Sequence, residues 1–228
     1  MKLYELAYAC RIYRGQFDLA YDRMCKALGP DPDLASEAQR DSLMRFLNDW
    51  RCRIPEKNFP ALKDSLQQWA ALWVPRLPDA NRDIRSLDDS ERARIGSSYE
   101  ELLRLGAGRH FQDTAAAKTL HAIRPHTLPI WDAAIKGWFT NTTRLSTRTA
   151  GQTYSDFLRH VAREISELEV DAARLGHSSS EPSQLVHGAG GSMVKLVDES
   201  YWVTITDGHQ LPTRDELEQW LGWISPVG

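Results

Sequence analysis

The sequence predicts an all-α protein built as a single globular multi-helix domain, and three observations predict it. Apolar residues recur at three- and four-residue intervals through most of the chain, the spacing that gathers one face of a helix. Glycine and proline stand between those stretches, at Gly15, Gly29-Pro30, Pro55, Pro75, Pro78, Gly106, Gly108, Pro125 and Gly176. The chain of 228 residues, 42% hydrophobic and 26% charged, is long enough to bury one core without disulfide or metal staples.

The elements follow in order. LYELAYACRIY and FDLAYDRMCKAL each carry helical periodicity, with Gly15 between them and Gly29-Pro30 ending the second. Asp33 is placed to cap a third helix carrying Leu34, Leu43, Phe46, Leu47 and Trp50, which Pro55 ends. Asn58 is placed to cap a fourth, with Pro60 in its first turn and Leu62, Leu66, Trp69, Leu72 and Trp73 on its apolar face. The stripe Trp50, Trp69, Trp73 reads as core. Helix resumes from Asp88 to Leu105 and runs into Gly106-Ala107-Gly108, which lacks the preceding strand and third glycine of a nucleotide-binding loop and reads as a helix stop.

Asp113 is placed to cap TAAAKTLHAI, where three alanines permit close packing, and Arg124-Pro125 ends it. In HTLPIWDAAIKGWF, Pro129 imposes an extended approach and Asp132 opens a short helix. A long amphipathic helix follows from Tyr154 to Leu175, closed by Gly176. SMVKLVDESYWV reads as helix, and Thr213 with Glu216 makes a capping box for a last helix carrying Leu217, Trp220 and Leu221. Residues 1–87 thus form the scaffold, 88–176 the region bearing chemistry, 177–191 a mobile loop and 192–228 the C-terminal helices.

Charge and cysteine narrow the function classes. The formal net charge is −3, yet residues 102–150 hold seven basic side chains (Arg104, Arg109, Lys118, Arg124, Lys136, Arg144, Arg148) against Asp113 and Asp132, a local +5 that leaves −8 elsewhere. Such asymmetry is expected to focus a positive field on one face. Cys10, Cys25 and Cys52 are odd in number and form no CxxC pair, which argues for buried thiols rather than a disulfide framework, a zinc site or an iron–sulfur cluster. The N-terminal stretch has no apolar block of signal-peptide type, and a cytoplasmic monomer without cofactor, metal or membrane contact is expected.

One segment carries a recognisable pattern. AAAKTLHAIRPHTLPIWDAAI places Lys118 on a helix and Asp132 at an apolar-x-Asp-x-x-apolar site. It resembles the helix-hairpin-helix superfamily of DNA glycosylases, and the resemblance covers about thirty residues. It implies the helical glycosylase fold, DNA as partner, Asp132 as catalytic aspartate and Lys118 as the helix-borne lysine. The Leu-Pro-Gly-x-Gly hairpin before the lysine is missing, and Lys118 and Asp132 are closer in sequence than is usual in that superfamily.

The resemblance further implies a monofunctional enzyme that flips a modified base out of duplex or single-stranded DNA and excises it, leaving an abasic site. A hypermodified phage cytosine such as glucosylated hydroxymethylcytosine is one such base, with phage defence as the setting. Flipping calls for phosphate-gripping cations and aromatic surfaces. Arg109, Arg144, Arg148 and Lys136 are the candidates for phosphate, Trp131, Trp138 and Phe111 for stacking, and His110, His121 and His126 for contact with the base, or with phosphate when protonated.

Plainer readings stand beside these. Asp132 alone can be a helix cap, worth about 1 kcal/mol. Lys118 alone reads as a solvated helix-face lysine, and the histidines as structural residues. The alternative to an enzyme is a non-catalytic helical module that binds nucleic acid or protein. An enzyme requires a pocket with Asp132 on its wall and at least two arginines on its rim.

Overall fold

The computed structural model describes residues 1–13, 18–106, 108, 110–143, 148–177, 186 and 192–218, and these are all helix, turn and loop with no strand. The helices are α1 (Leu3–Tyr13), α2 (Asp18–Leu28), α3 (Glu37–Asp49), α4 (Phe59–Trp73), α5 (Asp89–Leu105), α6 (Asp113–Ile123), α7 (Ala133–Thr143), α8 (Ala150–Arg174), α9 (Met193–Tyr201) and α10 (Arg214–Glu218). A π-helical turn, Trp202–Thr206, continues α9. One apolar core runs from Leu3 to Leu217 through every long helix, so the described residues form one globule. No described helix is long and apolar enough to cross a membrane.

The framework is the pair α5 and α8. Gly96 and Gly151 meet at their crossing, where a Cβ on Gly96 would lie 2.3 Å from the Gly151 carbonyl oxygen and 2.3 Å from Ser155 Oγ. Only a residue without a side chain lets the two backbones approach this closely. α5 is started by a capping box between Asp88 and Glu91, and α8 by one between Thr149 and Gln152. α8 therefore begins at Ala150, one turn before the apolar stripe that marks it in the sequence.

Three expected caps differ. Asp33 accepts from Ala35 N at 2.8 Å and closes a turn, while Ser36 holds the N-cap position of α3. Asn58 sits at the N-cap position of α4 without a side-chain capping bond, because the 3-10 turn Glu56–Asn58 already holds it in helical geometry. Asp113 is the first residue of α6 rather than its cap, and its carboxylate is taken by Tyr99 Oη at 2.8 Å and Lys136 Nζ at 2.5 Å. The Thr213–Glu216 cap does form, with Thr213 N donating to Glu216 Oε2 at 2.8 Å. Trp220 and Leu221 lie outside the described residues, as does 177–191 apart from His177 and Val186.

α6 lies at the centre, with Ala115, Ala116 and Ala117 buried against α3 and α5. The extended segment after it is pinned at successive residues. His121 Nδ1 donates to Leu128 O at 2.7 Å, Tyr154 Oη to Pro129 O at 2.7 Å, and Trp131 Nε1 to Tyr99 Oη at 3.0 Å. Tyr99 stacks on Tyr154 at 4.5 Å, and Trp131 meets Tyr154 edge-on at 5.1 Å. Each anchor is buried, where an unmade hydrogen bond costs about 1–3 kcal/mol, so the segment ending at Asp132 has one available path.

Candidate active site

A cleft of about 620 Å³ opens where α6, the α3–α4 connection, the segment before α7 and the end of α9 converge. Lys118 and Asp132 both line it. The thirteen residues between them form the second half of α6 and the pinned segment, which turns back and returns the chain to the same wall.

Asp132 has two partners. Its Oδ1 accepts from Ile135 N at 2.9 Å, the N-cap bond of α7, and its Oδ2 accepts from Thr206 Oγ1 at 2.7 Å. The cap is thus real, and it leaves the carboxylate in a fixed orientation on the wall of the cleft. Thr206 reaches it because the π turn carries one residue more than an α-helical turn, closed by Asp207 N donating to Trp202 O at 2.8 Å.

Lys118 is not a solvated lysine. It is 8% exposed, its Nζ donates to Trp50 O at 2.5 Å, and the ammonium lies 5.3 Å from the Trp50 ring centroid. Burial pushes its pKa below the usual lysine range, against the opposing pull of Cys52, Asp198 and Asp132. Trp50 O is at the C-terminus of α3, so the ammonium also meets the negative end of that helix. Trp50 itself is buried, as its place in the aromatic stripe suggests, but it faces the cleft.

The rim joins His110, a histidine the sequence offers for contact with a base, to two arginines that carry no sequence signal. Arg51 and Arg53 are exposed and flank Cys52 in the α3–α4 connection. Their φ angles are 63° and 52°, left-handed values that disfavour any residue except glycine, and His110 on the opposite connection has φ 60°. Asn48 holds this loop, accepting from Ile54 N at 2.8 Å and donating Nδ2 to Ile54 O at 2.9 Å. Cys52, expected as a buried thiol, is half-buried on the cleft, and its pKa is pushed up by burial.

The chain matches no family model, no curated protein and no solved structure. The site therefore rests on its own geometry.

That geometry separates the remaining sequence candidates. Trp131 is fully buried and hydrogen-bonded to Tyr99, so it serves the core rather than stacking on a ligand. His121 is also fully buried, bonded at both ring nitrogens to Leu128 O and Tyr21 Oη, and desolvation holds its pKa down to about 3. Both position the segment that delivers Asp132. Phe111 is buried beside Gly106, and Trp138 packs against His160 and Tyr201 away from the cleft. His126 is exposed on a separate shallow groove with Arg82 and Arg85.

Among the candidate phosphate cations, Lys136 is tied to Asp113 and Arg148 to Asp156 at 2.5 Å. Arg109 and Arg144 lie outside the described residues. The excess of positive charge over 102–150 does not gather into one face among the described residues. Arg104 pairs with Glu100 and Glu101, Arg124 Nε donates to Pro78 O at 2.6 Å, and Lys118 is buried. The cleft itself is balanced, with Arg51, Arg53 and Lys118 against Asp132, Asp198 and Asp207.

Behind its wall lies a buried charge layer on α9. Lys195 Nζ donates to Glu199 Oε1 at 2.9 Å, lies 3.7 Å from Asp198 Oδ2, and is 4.3 Å from the Tyr13 ring centroid. Glu199 and Asp198 draw the Lys195 pKa upward despite burial. The sequence shows this group only as an i, i+3, i+4 pattern of Lys195, Asp198 and Glu199, which reads as a solvated helix face unless its burial is known.

Proposed function

We propose that this chain is a monofunctional DNA N-glycosylase that excises a modified base and leaves an abasic site. The observation that carries the proposal is the convergence of Asp132, Lys118 and two rim arginines, Arg51 and Arg53, on one cleft. Breaking an N-glycosidic bond develops positive charge on the sugar, and a carboxylate held beside C1′ stabilises it best when already oriented. The bonds from Ile135 N and Thr206 Oγ1 supply that orientation for Asp132. Arg51 and Arg53 extend cations from the rim toward the phosphates flanking an extruded nucleotide. Trp50 and Tyr13 offer aromatic surface inside.

A volume of about 620 Å³ is generous for a bare base and supports a bulky one. The glucosyl adduct of glucosylated hydroxymethylcytosine suits that size, and with it a role in phage defence.

A second reading has its own support. Asp132 and Lys118 each satisfy a helix end, so a non-catalytic helical module that binds nucleic acid or protein accounts for both. A protein-docking surface marked by tryptophan has less support among the described residues, where the exposed large apolar side chains are Leu19, Leu72 and Val170.

The test is to incubate the protein with duplex and single-stranded DNAs that are unmodified, damaged or hypermodified. Abasic sites are scored by alkaline cleavage and released bases by mass spectrometry. Release of one base by wild type and not by Asp132→Asn is the expected outcome. Salt-sensitive binding without release would favour the non-catalytic module, and neither binding nor release would end the nucleic-acid reading.

A further inference from the structure

Asp198 lines the same cleft as Asp132, from a different element, and the role given to Asp132 leaves it unused. Its surroundings are unusual for a carboxyl group. On α9 it has Lys195 3.7 Å from Oδ2 and Glu199 as neighbour; from α6 it feels Lys118, and from the segment before α7, Asp132. The hydroxyls of Tyr13 on α1, Tyr21 on α2 and Tyr154 on α8 feel its charge in turn. In this inner layer, beneath the arginine rim that balances the cleft as a whole, two ammonium groups, Lys118 and Lys195, therefore face three carboxyls, Asp132, Asp198 and Glu199.

In a poorly solvated site the third negative charge is the one without compensation, and a proton settles it. Asp198 is the carboxyl best placed to hold that proton. Glu199 has the close 2.9 Å bond to Lys195, and Asp132 accepts two hydrogen bonds as an anion does. Burial, reinforced by Glu199 and Asp132 and opposed by Lys195 and Lys118, pushes Asp198 up to about 7.

We propose that Asp198 is the general acid and base of this cleft, handing its proton to a nitrogen of the leaving base as the C1′–N bond breaks and recovering one from the water that attacks C1′. The balance closes. The electron pair of the broken bond leaves with the base, the acid proton neutralises it, and water supplies hydroxyl to C1′ and a proton to the Asp198 carboxylate. Asp132 carries the developing sugar charge throughout, held in place by Ile135 N and Thr206 Oγ1. The division of labour separates a carboxyl buried among other carboxyls, which holds the proton, from one fixed on the wall as a hydrogen-bond acceptor.

The inference rests on the glycosylase reading and sharpens its substrate class. A base already cationic through N-alkylation leaves without help, whereas an uncharged base such as a substituted cytosine needs the proton. The cleft is accordingly one for uncharged modified bases.

The experiment is single-turnover base release by the full chain and by Asp198→Asn between pH 5 and 9, on the duplex that wild type cleaves. Binding to a duplex carrying a pyrrolidine abasic analogue, a cationic mimic of the sugar, serves as a control on folding. Wild type should lose about tenfold in rate per pH unit above neutrality, and Asp198→Asn should be slowed about 100-fold with no such limb while binding the pyrrolidine duplex normally. A variant with the wild-type rate and pH profile overturns the assignment and leaves the glycosylase reading intact. Failure of wild type on every DNA overturns both. Carbon-13 NMR titration of the Asp198 carboxyl gives a measure independent of activity: titration near neutrality is expected, and titration below pH 5 refutes the proposal.

Discussion

Asp132 can be stripped of its charge and of its cap separately, which divides catalysis from structure. In Asp132→Asn the amide oxygen still accepts from Ile135 N, and the amide nitrogen still meets Thr206 Oγ1, which can accept as well as donate. Asparagine caps helices about as well as aspartate, so stability should change by less than about 0.5 kcal/mol. Asp132→Ala loses the cap, worth about 1 kcal/mol, and strands a half-buried Thr206 hydroxyl, worth about another. For a chain of this size the sum of about 2 kcal/mol lowers Tm by about 4–8 °C. Removing a preoriented charge that meets the transition state costs about 100- to 1000-fold in rate. Base release should thus fall equally in both variants, while thermal unfolding separates them. If Asp132→Asn releases base at the wild-type rate, Asp132 is a cap and nothing more, and the proposed chemistry is wrong.

Three further predictions bear on the scaffold, the rim and the buried charges. Gly96→Ala gains about 1 kcal/mol of helix propensity but drives a Cβ to 2.3 Å from a backbone oxygen of α8, and a net loss of about 1–3 kcal/mol is expected; an unchanged Tm would refute the close crossing. Arg53→Gly relieves a left-handed residue and should hold or raise stability by about 1 kcal/mol, yet weaken DNA binding and lower the salt slope by about 1; unaltered binding would remove Arg53 from the interface. Between pH 4.5 and 6, His121, held down to about 3, takes up a proton on unfolding, and Asp198, pushed up to about 7, gives one back, so their opposing pH slopes cancel. Asp198→Asn leaves the His121 slope alone, and urea unfolding should show stability rising with pH by about 1.4 kcal/mol per unit more steeply than in wild type; parallel profiles would refute the pairing.

The helices were legible because periodicity and breakers act locally. Gly29 and Gly176, read as stops, have φ values of 69° and 80° beyond the last turns of α2 and α8. The caps at Asp33 and Asp113 were misplaced because a carboxylate near a helix start has other donors to choose from. Tyr99 and Lys136, distant in sequence, outcompete the local backbone for Asp113. In the candidate site, Asp132 and Lys118 were legible as a pattern, but the burial of Lys118 was not, since it depends on Trp50 arriving from α3. Trp131 and His121 sit within the same pattern and carry it structurally, fixing the path of the chain from inside. Arg51, Arg53 and Asp198 gave no sequence signal, because an exposed-looking charge becomes part of a site only through what faces it.

Departures from regular geometry give a separate reason to place function at this cleft. Among the described residues, the non-glycine positions with left-handed backbone are Arg51, Arg53 and His110, and all three line it. The π turn lines it too, through Trp202 and Thr206. A non-glycine residue in that conformation costs of order 1 kcal/mol or more, and glycine would remove the cost at each position. Four local irregularities on two connections and one helix end have no common cause in packing, since the loops belong to different parts of the core. They share only the space they enclose. A role in shaping that space for a ligand accounts for all four, and it does so whichever chemistry the cleft performs.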